Sequence, residues 1–378
     1  MAVNPRIAIA TAGRFHVFDL ARELHTLGYD VTLYSYVPRR RARKFGIKDE
    51  YYVSLLPFTT IALTWDRLAP RFLPLARERF LYRSLNWAVM SQLHPCDVFV
   101  CMSGIYLEAA RHAKRKFHAK VWLERGSQHI LSQDEILRKI PGAERPSALA
   151  IARELEGYKL ADRIVIPSKH VEDSFRRDPA AFAKLFRNPY GVDVGMFPIQ
   201  SGRTPNKPFT FLFVGSWSLQ KGCDILARAI TRLQNVRLVH VGALLDFDFP
   251  VGNERFIHVN PVSQPELSRF YAQADAFVLA SRQDGFAMVL SQALASGLPV
   301  ICTDRTGGPD LAHTTALAAR ITVVPHDDEC ALTAAMQLLI DRLKSGDRLP
   351  ALSPEDRDQL SWTSYARRYS DELLRHFG

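Results

Sequence analysis

Short runs of β-branched and aromatic residues alternate with amphipathic stretches along nearly the whole chain. This alternation is typical of βαβ units, in which parallel strands are joined by helices that cover the sheet. The predicted strands are 7–11, 31–34, 98–101, 121–123 and 163–166 in the first half, and 209–214, 236–241, 276–279 and 299–302 in the second. The pattern predicts an α/β fold with two doubly wound, Rossmann-like sheets.

A proline-rich segment separates the two halves. Pro198, Pro205 and Pro208 bracket a polar stretch, and this composition is typical of a linker. We therefore predict an N-terminal domain over residues 1–197 and a C-terminal domain over 198–361. Apolar residues recur at helical spacing in 362–378, so we expect this last helix to pack back on the first domain. Two such sheets that face each other form a ligand-binding cleft at the carboxyl ends of their strands.

The formal net charge of +10 belongs to the first half of the chain. Residues 1–200 contain 31 Lys and Arg against 20 Asp and Glu, whereas the remainder contains 18 against 19. Two basic clusters lie at 39–44 and 65–90, and the second mixes arginines with Leu, Phe and Trp. Such a surface attracts anions such as phospholipid head groups or lipid diphosphates. A solvated charged face without a dedicated partner is the alternative.

Nucleic acid is not an expected partner, because the basic clusters lack a recognisable recognition motif. The five cysteines are odd in number and show no C-x-x-C spacing, which argues against a disulfide framework and a structural zinc. No apolar run approaches the roughly 20 residues that span a bilayer. We expect a cytoplasmic protein, and the basic N-terminal domain indicates peripheral contact with the inner face of the plasma membrane.

Three motifs lie at or near turns between predicted elements. They read NPYGVDVGMF at 188–197, FLFVGSWSLQKG at 211–222, and SRQDGFAMVLSQALASGLPVICTD at 281–304 followed by TGGPDL at 306–311. In these segments the chain resembles the retaining nucleotide-sugar glycosyltransferases of family 4. A match over 281–311, at the expected distance from the Lys-Gly element, is far more specific than a lone glycine motif. The resemblance implies the GT-B architecture, with two Rossmann-like domains facing each other across a cleft.

The third motif places residues 284–287 where a strand ends and a helix begins. Unpaired backbone N–H groups and the positive end of the helix dipole favour a diphosphate or a sugar hydroxyl there. Asp284 can accept hydrogen bonds from the donor sugar, and Gln292, two helical turns on, would face the ribose. The relatives usually have glutamate at both positions, so the donor identity stays open. A helix cap for Asp284 and a buried polar residue for Gln292 are the alternatives.

Lys221 follows a strand and a turn at the mouth of the predicted cleft. In the relatives a lysine here neutralises the diphosphate as the glycosidic bond breaks, and such electrostatic stabilisation is commonly the largest contribution to catalysis. The relatives usually add an arginine where this chain has Ser216. Lys221 then carries more of the charge, or a basic residue of the first domain reaches across; a solvated surface lysine is the alternative. Further donor-binding positions implied by the resemblance are Gly13, Val262, Gly285, Phe286 and Ala287.

In the N-terminal domain the resemblance is looser. Gly13 lies in the first strand-to-helix turn, where the relatives have a glycine-rich loop that touches the phosphates and the acceptor. Its neighbours Arg14 and His16 are candidate acceptor contacts.

The turns after the next predicted strands supply three more candidates. Ser103 is a candidate acceptor contact. Many relatives place a histidine after the fourth or fifth strand; Arg125 stands nearest that position and His129 follows it, so both are candidate catalytic residues. A surface or capping histidine is the alternative for His129.

The expected function is transfer of a sugar from a nucleotide-sugar donor to a glycan or lipid-linked acceptor, in polysaccharide or glycolipid biosynthesis. The resemblance implies retention of anomeric configuration. No metal or cofactor is expected, because the cleft motifs lack an Asp-x-Asp cluster. The alternatives are a sugar-nucleotide-binding protein with weakened turnover, which Gln292 and Ser216 favour, and a GT-B-type epimerase or phosphorylase.

Overall fold

The protein contains two parallel β-sheets, seen in a computed structural model that describes residues 4–58, 74–199 and 205–377. The described strands of the first sheet are β1 Ile7–Thr11, β2 Val31–Ser35, β3 Tyr52–Ser54, β4 Val98–Met102, β5 Lys120–Glu124, β6 Arg163–Ile166 and β7 Leu185–Arg187. Those of the second are β8 Phe209–Val214, β9 Val236–Val241, β10 Phe256–Val259, β11 Ala276–Leu279, β12 Val300–Thr303 and β13 Ile321–Val324. The predicted α/β fold with two Rossmann-like domains is confirmed.

Helices cover both sheets. In the first half they are α1 Val17–Thr26, α2 Arg39–Arg43, α3 Pro74–Gln92, α4 Leu107–Phe117, α5 Ile130–Leu137, α6 Ala148–Leu160, α7 Lys169–Ser174 and α8 Pro179–Phe182. In the second half they are α9 Cys223–Arg232, α10 Gln264–Gln273, α11 Met288–Ala295, α12 Thr315–Ala318, α13 Glu329–Lys344, α14 Pro354–Gln359 and α15 Trp362–Phe377. No helix within the described ranges has the length and apolar character needed to cross a membrane.

The strand order of each sheet defines where ligands can bind. The first sheet has the order β3-β2-β1-β4-β5-β6-β7 and the second β10-β9-β8-β11-β12-β13. The order reverses between β1 and β4 and again between β8 and β11. Crevices form outside the carboxyl ends of the strands at such reversals. The turns that follow these four strands therefore supply the polar groups of the cleft.

Four strands were not predicted: β3, β7, β10 and β13. They are the outermost strands of the two sheets and contain only three or four residues each. Several of their side chains are partly or fully exposed, as in β13, whereas β1 and β8 are buried at every position. Central strands of a parallel sheet are covered on both faces and give continuous apolar runs, which edge strands lack.

Helix α15 leaves the second domain and lies on the first. The Tyr369 hydroxyl donates to Glu124 Oε1 at 3.0 Å, and the rings of Trp122 and Tyr369 lie 5.1 Å apart. The chain returns to the first domain beside the segment that precedes the linker. The Val192 N–H donates to the Leu360 carbonyl there at 2.8 Å. Two neighbouring stretches of chain therefore join the domains.

Candidate active site between the domains

A cavity of about 1310 Å³ lies between the two domains. Its lining comes from the segments that follow β1 and β2, from the segment before the linker and the start of α15, and from α11 and the start of α10. The candidate residues among its lining are Arg14 and Gln292. Gln292 is buried, and its carbonyl oxygen accepts a hydrogen bond from the Tyr271 hydroxyl at 2.9 Å. Lys221 and Asp284 do not line this cavity.

Lys221 and Asp284 form an ion pair. Lys221 Nζ lies 2.5 Å from Asp284 Oδ2, and the two side chains are 22% and 19% exposed. Oδ1 of the same carboxylate accepts hydrogen bonds from the backbone N–H groups of Phe286, at 3.3 Å, and Ala287, at 3.0 Å. Asp284 thus binds two backbone N–H groups of the turn that leads into α11, whose N-cap residue is Ala287, while it holds the predicted catalytic lysine. An anionic ligand would compete for the same lysine and the same amides.

A glycine turn brings these two residues together. Gly222 has a φ of +69°, and a Cβ at this position would lie 2.0 Å from the Ala280 carbonyl oxygen. The turn after β8 therefore packs directly on the end of β11, an approach that only glycine allows. Lys221 precedes this glycine and Asp284 lies four residues beyond Ala280. The short strand-end turns fix the position of both.

The loop that contains Asp284 is in direct contact with the first domain. A Cβ at Gly285 would lie 1.7 Å from the Gly126 carbonyl oxygen. Ser168 Oγ donates to the Gly285 carbonyl at 2.6 Å, and His170 Nε2 lies 2.6 Å from the Asp284 carbonyl. The domains meet closely at this point, so their separation would move the loop.

Ser168 and His170 were not predicted as site residues. Burial lowers the pKa of His170, although the hydrogen bond to the Asp284 carbonyl opposes this shift. The neutral ring then donates from Nε2 to that carbonyl. Both residues directly follow β6, a strand that was predicted, so their position at a carboxyl strand end was the available signal.

The other predicted donor residues lie at several turns of the two domains. Ser216 is half-buried after the glycine that ends β8, and Val262 packs against the core just before the residues that line the cavity. Phe286 is buried, with its ring 5.4 Å from that of Tyr190. A Cβ at Gly13 would meet nothing closer than the Phe15 ring, at 3.5 Å.

His16 lies buried in the interior of the first domain. Its Nε2 lies 2.9 Å from Glu124 Oε2, and both side chains are buried. The ring stacks on Tyr190, with centroids 4.2 Å apart. Arg14 differs, because it lines the cavity and donates to Asp19 at 2.9 Å. The two candidate acceptor contacts of this turn therefore face in different directions.

Arg125 and Ser103 share one buried carboxylate. Arg125 donates to Glu154 Oε1 at 2.9 Å and to the Gln128 carbonyl at 2.6 Å, and the Ser103 hydroxyl donates to Glu154 Oε2. Burial by itself would lower the pKa of the Arg125 guanidinium, but the Glu154 carboxylate together with Tyr158 and Tyr190 outweighs it and the pKa is raised. The structure thus places both candidates in an internal network rather than beside Lys221.

His129 makes the contacts of a capping residue. Its Nδ1 accepts from the Leu131 N–H at 3.3 Å at the start of α5, and its ring lies between Tyr158 and Phe175. Burial, together with the charge of Arg177, lowers the pKa of His129 to about 4. At neutral pH the ring is therefore uncharged. Catalytic roles for His129 and Arg125 remain predictions.

The match to a known family lies in the second domain. Residues 208–342 match the family described as Glycosyl transferases group 1. A GDP-mannose:cellobiosyl-diphosphopolyprenol alpha-mannosyltransferase of Xanthomonas campestris is 29% identical over 175 residues, which cover 42% of each chain. A D-inositol 3-phosphate glycosyltransferase of Thermobispora bispora is 23% identical over 390 residues, which cover 94% of this chain and 88% of the relative. The matches to the mannosyltransferase and to a sulfoquinovosyl transferase of Arabidopsis thaliana span only 42% and 34% of those relatives.

Solved structures resemble the whole chain. Sucrose-phosphate synthase of Thermosynechococcus elongatus superposes with a TM-score of 0.70 at 16% identity, over 98% of this chain and 99% of that one. Anabaena HepE in complex with UDP-glucose gives 0.65 at 12% identity, over 98% and 100%. At these identities the likeness shows the fold alone. Residues 208–342 therefore match the family described as Glycosyl transferases group 1, and the whole chain has the GT-B fold of two Rossmann-like domains facing across a cleft.

Proposed function

We propose that the protein is a glycosyltransferase that moves a sugar from a nucleotide-sugar donor to a glycan or lipid-linked acceptor. The observation that carries this proposal is the Lys221–Asp284 pair at the N-terminus of α11, where β8 and β11 end beside the other domain. A lysine and two backbone amides at one point form a site for a diphosphate. The cavity between the domains, which α11 lines with Met288 and Gln292, would supply the space for both substrates.

Donor binding would exchange partners within this pair. Both side chains are about one-fifth exposed, so a ligand can reach them. The diphosphate would replace the Asp284 carboxylate on Lys221, and the freed carboxylate would accept hydrogen bonds from the sugar hydroxyls. Gln292, which lines the cavity, would lie towards the ribose. Ser216, in place of a second cation, leaves Lys221 as the side-chain charge nearest the leaving group among the predicted donor residues.

The names of similar proteins support a nucleotide-sugar donor. Two relatives are named as GDP-mannose-dependent mannosyltransferases, and HepE was solved with UDP-glucose. The acceptor class draws on the same names, since one relative is named for a cellobiosyl-diphosphopolyprenol. We further propose that transfer retains anomeric configuration, needs no metal ion, and serves polysaccharide or glycolipid synthesis. Lys221 and the Phe286 and Ala287 amides would meet the diphosphate charge in place of a metal cation.

A panel of nucleotide sugars tests this function. UDP- and GDP-linked hexoses are added singly to the full chain, and the unfolding temperature is measured. A donor at 100 times its dissociation constant adds about 2.7 kcal/mol to the free energy of unfolding. The donor found in this way is then assayed for release of its nucleoside diphosphate with sugar phosphates and lipid-linked glycans as acceptors. Stabilisation followed by acceptor-dependent release is the expected result.

Two outcomes would count against the proposal. If no nucleotide sugar raises the unfolding temperature, the site does not bind a donor. If a donor binds but is not turned over with any acceptor class, the binding-protein alternative is favoured instead. Asp284 gives that alternative its physical basis, because in this structure both carboxylate oxygens are already engaged.

A further inference from the structure

Three cations of the first domain line the cavity without an ion-pair partner among the described residues: Arg40, Arg41 and Lys44. We call them the basic wall. They lie on α2 and directly after it, at the carboxyl end of β2. Two further arginines of the cavity are already paired with two carboxylates, because Arg14 and Arg22 contact Asp19 at 2.9 and 2.7 Å and Arg22 also contacts Glu23 at 3.0 Å. The uncompensated charge of the cavity is therefore concentrated on one side.

The same segment sorts its cations into two groups. Arg43 forms an ion pair with Asp49, Lys48 lies 3.4 Å from Glu50, and Arg39 lies over the Tyr52 ring at 6.0 Å. None of these three lines the cavity. The buried Ala42 fixes which face of α2 turns inward. Cations held together without partners repel one another, and such a group indicates a place where an anion binds.

We propose that the basic wall binds a phosphate or diphosphate group of the acceptor. This inference rests on the proposed function and names the substrate class of the same cavity. The donor diphosphate is assigned to Lys221 and the Phe286 and Ala287 amides in the other domain. One diphosphate does not require a second cationic site across the cleft, and a neutral glycan requires none. The charge on the basic wall therefore belongs to the second substrate.

The chemistry of the three side chains fits a phosphate. Each guanidinium presents five N–H donors in a planar fork that matches phosphate oxygens, and the ammonium group adds three more. All three residues are exposed to the cavity or its mouth, so no rearrangement is needed for access. At about 1310 Å³ the cavity exceeds the roughly 300–1000 Å³ of a single small-ligand pocket, as a two-substrate site requires.

Calorimetric titration with inorganic pyrophosphate tests the inference. UDP or GDP, whichever binds the wild-type chain, is kept saturating so that the donor site is filled. The cavity variant is Arg40→Gln, Arg41→Gln, Lys44→Gln combined. The matched control is Arg39→Gln, Arg43→Gln, Lys48→Gln combined, which removes the same charge from the same segment but outside the cavity. We expect pyrophosphate to bind the cavity variant at least tenfold more weakly than the wild type, with the control variant within about twofold of the wild type.

The outcomes separate this inference from the proposed function. If neither nucleotide binds the wild type, the proposed function fails and this inference fails with it. If a nucleotide binds normally but pyrophosphate shows no additional site, only this inference is overturned. Equal weakening of pyrophosphate binding in both variants also overturns it, because the overall positive charge of the segment would then explain the binding. Loss of nucleotide affinity in the cavity variant would assign the basic wall to the donor instead.

A second arm identifies the source of the phosphate. Wild type and both variants are sedimented with two kinds of vesicle. One is phosphatidylcholine alone, and the other is phosphatidylcholine in which a fifth of the lipid is phosphatidic acid. Sedimentation with the anionic vesicles that only the cavity variant loses would assign the phosphate to a lipid. Pyrophosphate binding without sedimentation would assign it to a water-soluble phosphorylated acceptor. Both results support a phosphate subsite on the basic wall.

Discussion

The two sides of the cleft use their predicted polar residues differently. In the second domain Lys221 and Asp284 are partly exposed and contact each other. In the first domain Arg125 is buried against Glu154, and His16 against Glu124. The Lys221–Asp284 pair is about one-fifth exposed, so a ligand can reach it and replace one partner, whereas removing one partner of a fully buried pair costs about 3–5 kcal/mol. Only the first kind of pair can exchange its partner for a substrate.

The largest expected effect concerns the Lys221–Asp284 pair. Lys221→Ala should lower kcat by roughly 10²- to 10³-fold, because a charge-assisted contact that strengthens as the bond breaks is removed. The measurement is steady-state kinetics, made after circular dichroism has shown that the variant is folded. Arg228→Ala, a similar loss of charge on exposed α9, is the control and should retain activity. A Lys221→Ala enzyme with more than about a third of wild-type turnover would place the lysine outside the site.

Restoring a second cation tests whether positions 216 and 221 face the same phosphates. Ser216→Arg should recover part of the lost turnover in the Lys221→Ala background. No recovery in a folded double mutant would mean that the compensating charge comes from the first domain. Arg14, which lines the cavity, would then be the next residue to replace.

Acid should destabilise both domains through one buried histidine in each. The pKa of His129 and that of His240 are both lowered to about 4 from 6.5, mainly by burial. The unfolded chain therefore takes up protons first as the pH falls. Each histidine contributes up to about 3 kcal/mol of stability above pH 6.5, and this contribution is lost between pH 6.5 and 4.

Urea unfolding at pH 7 and pH 5 measures this loss. His129→Gln and His240→Gln should each make the midpoint less dependent on pH than in the wild type. A pH dependence that persists unchanged in both variants would contradict the buried, neutral state. If only one variant changes the pH dependence of the midpoint, the two domains unfold separately and differ in their sensitivity to acid.

Contact between the two sides can be broken at a single glycine. Gly285→Ala would place a methyl group 1.7 Å from the Gly126 carbonyl oxygen, so the domains must move apart there. Turnover should fall about tenfold, since small displacements of catalytic groups are costly. Gly157→Ala, where the nearest atom is a Leu123 methyl group at 3.3 Å, is the control and should remain active. Full activity of Gly285→Ala would show that this contact is not needed in turnover.

The smallest effect is expected at the outer surface of the first domain. Helix α3 exposes Trp87 at 56% and Phe80 at 43%, with Arg83 on the same face. We propose that this face contacts anionic membrane. Trp87→Ser should weaken flotation with anionic vesicles a few-fold at low salt, and salt should weaken it in all forms. Equal binding to neutral and anionic vesicles would remove this proposal. Trp65, Arg67 and Arg71, of the same basic cluster, lie outside the described residues.

The sequence predicts the position of residues that lie directly after a strand. It does not predict contacts with partners that are distant in the chain. Lys221 and Asp284 each lie in a short turn after a central strand, so their meeting follows from strand order. Arg125 instead receives its partner Glu154 from α6, a contact that periodicity does not reveal. The basic residues after β2 were recognised from the sequence as a cluster that attracts anions such as phospholipid head groups or lipid diphosphates. Their place in the cavity depends on the orientation of α2.

The position of α15 has a consequence for how the chain folds during synthesis. Trp122 and Phe186 lie in the first sheet, yet the Tyr369 ring that covers them, at 5.1 and 6.1 Å, is made after the entire second domain. At about 5–20 residues per second, translation of that domain takes on the order of ten seconds or more. During this interval the nascent first sheet exposes an aromatic surface. The second domain can fold as a unit in that time, so the earlier-made domain completes its core last.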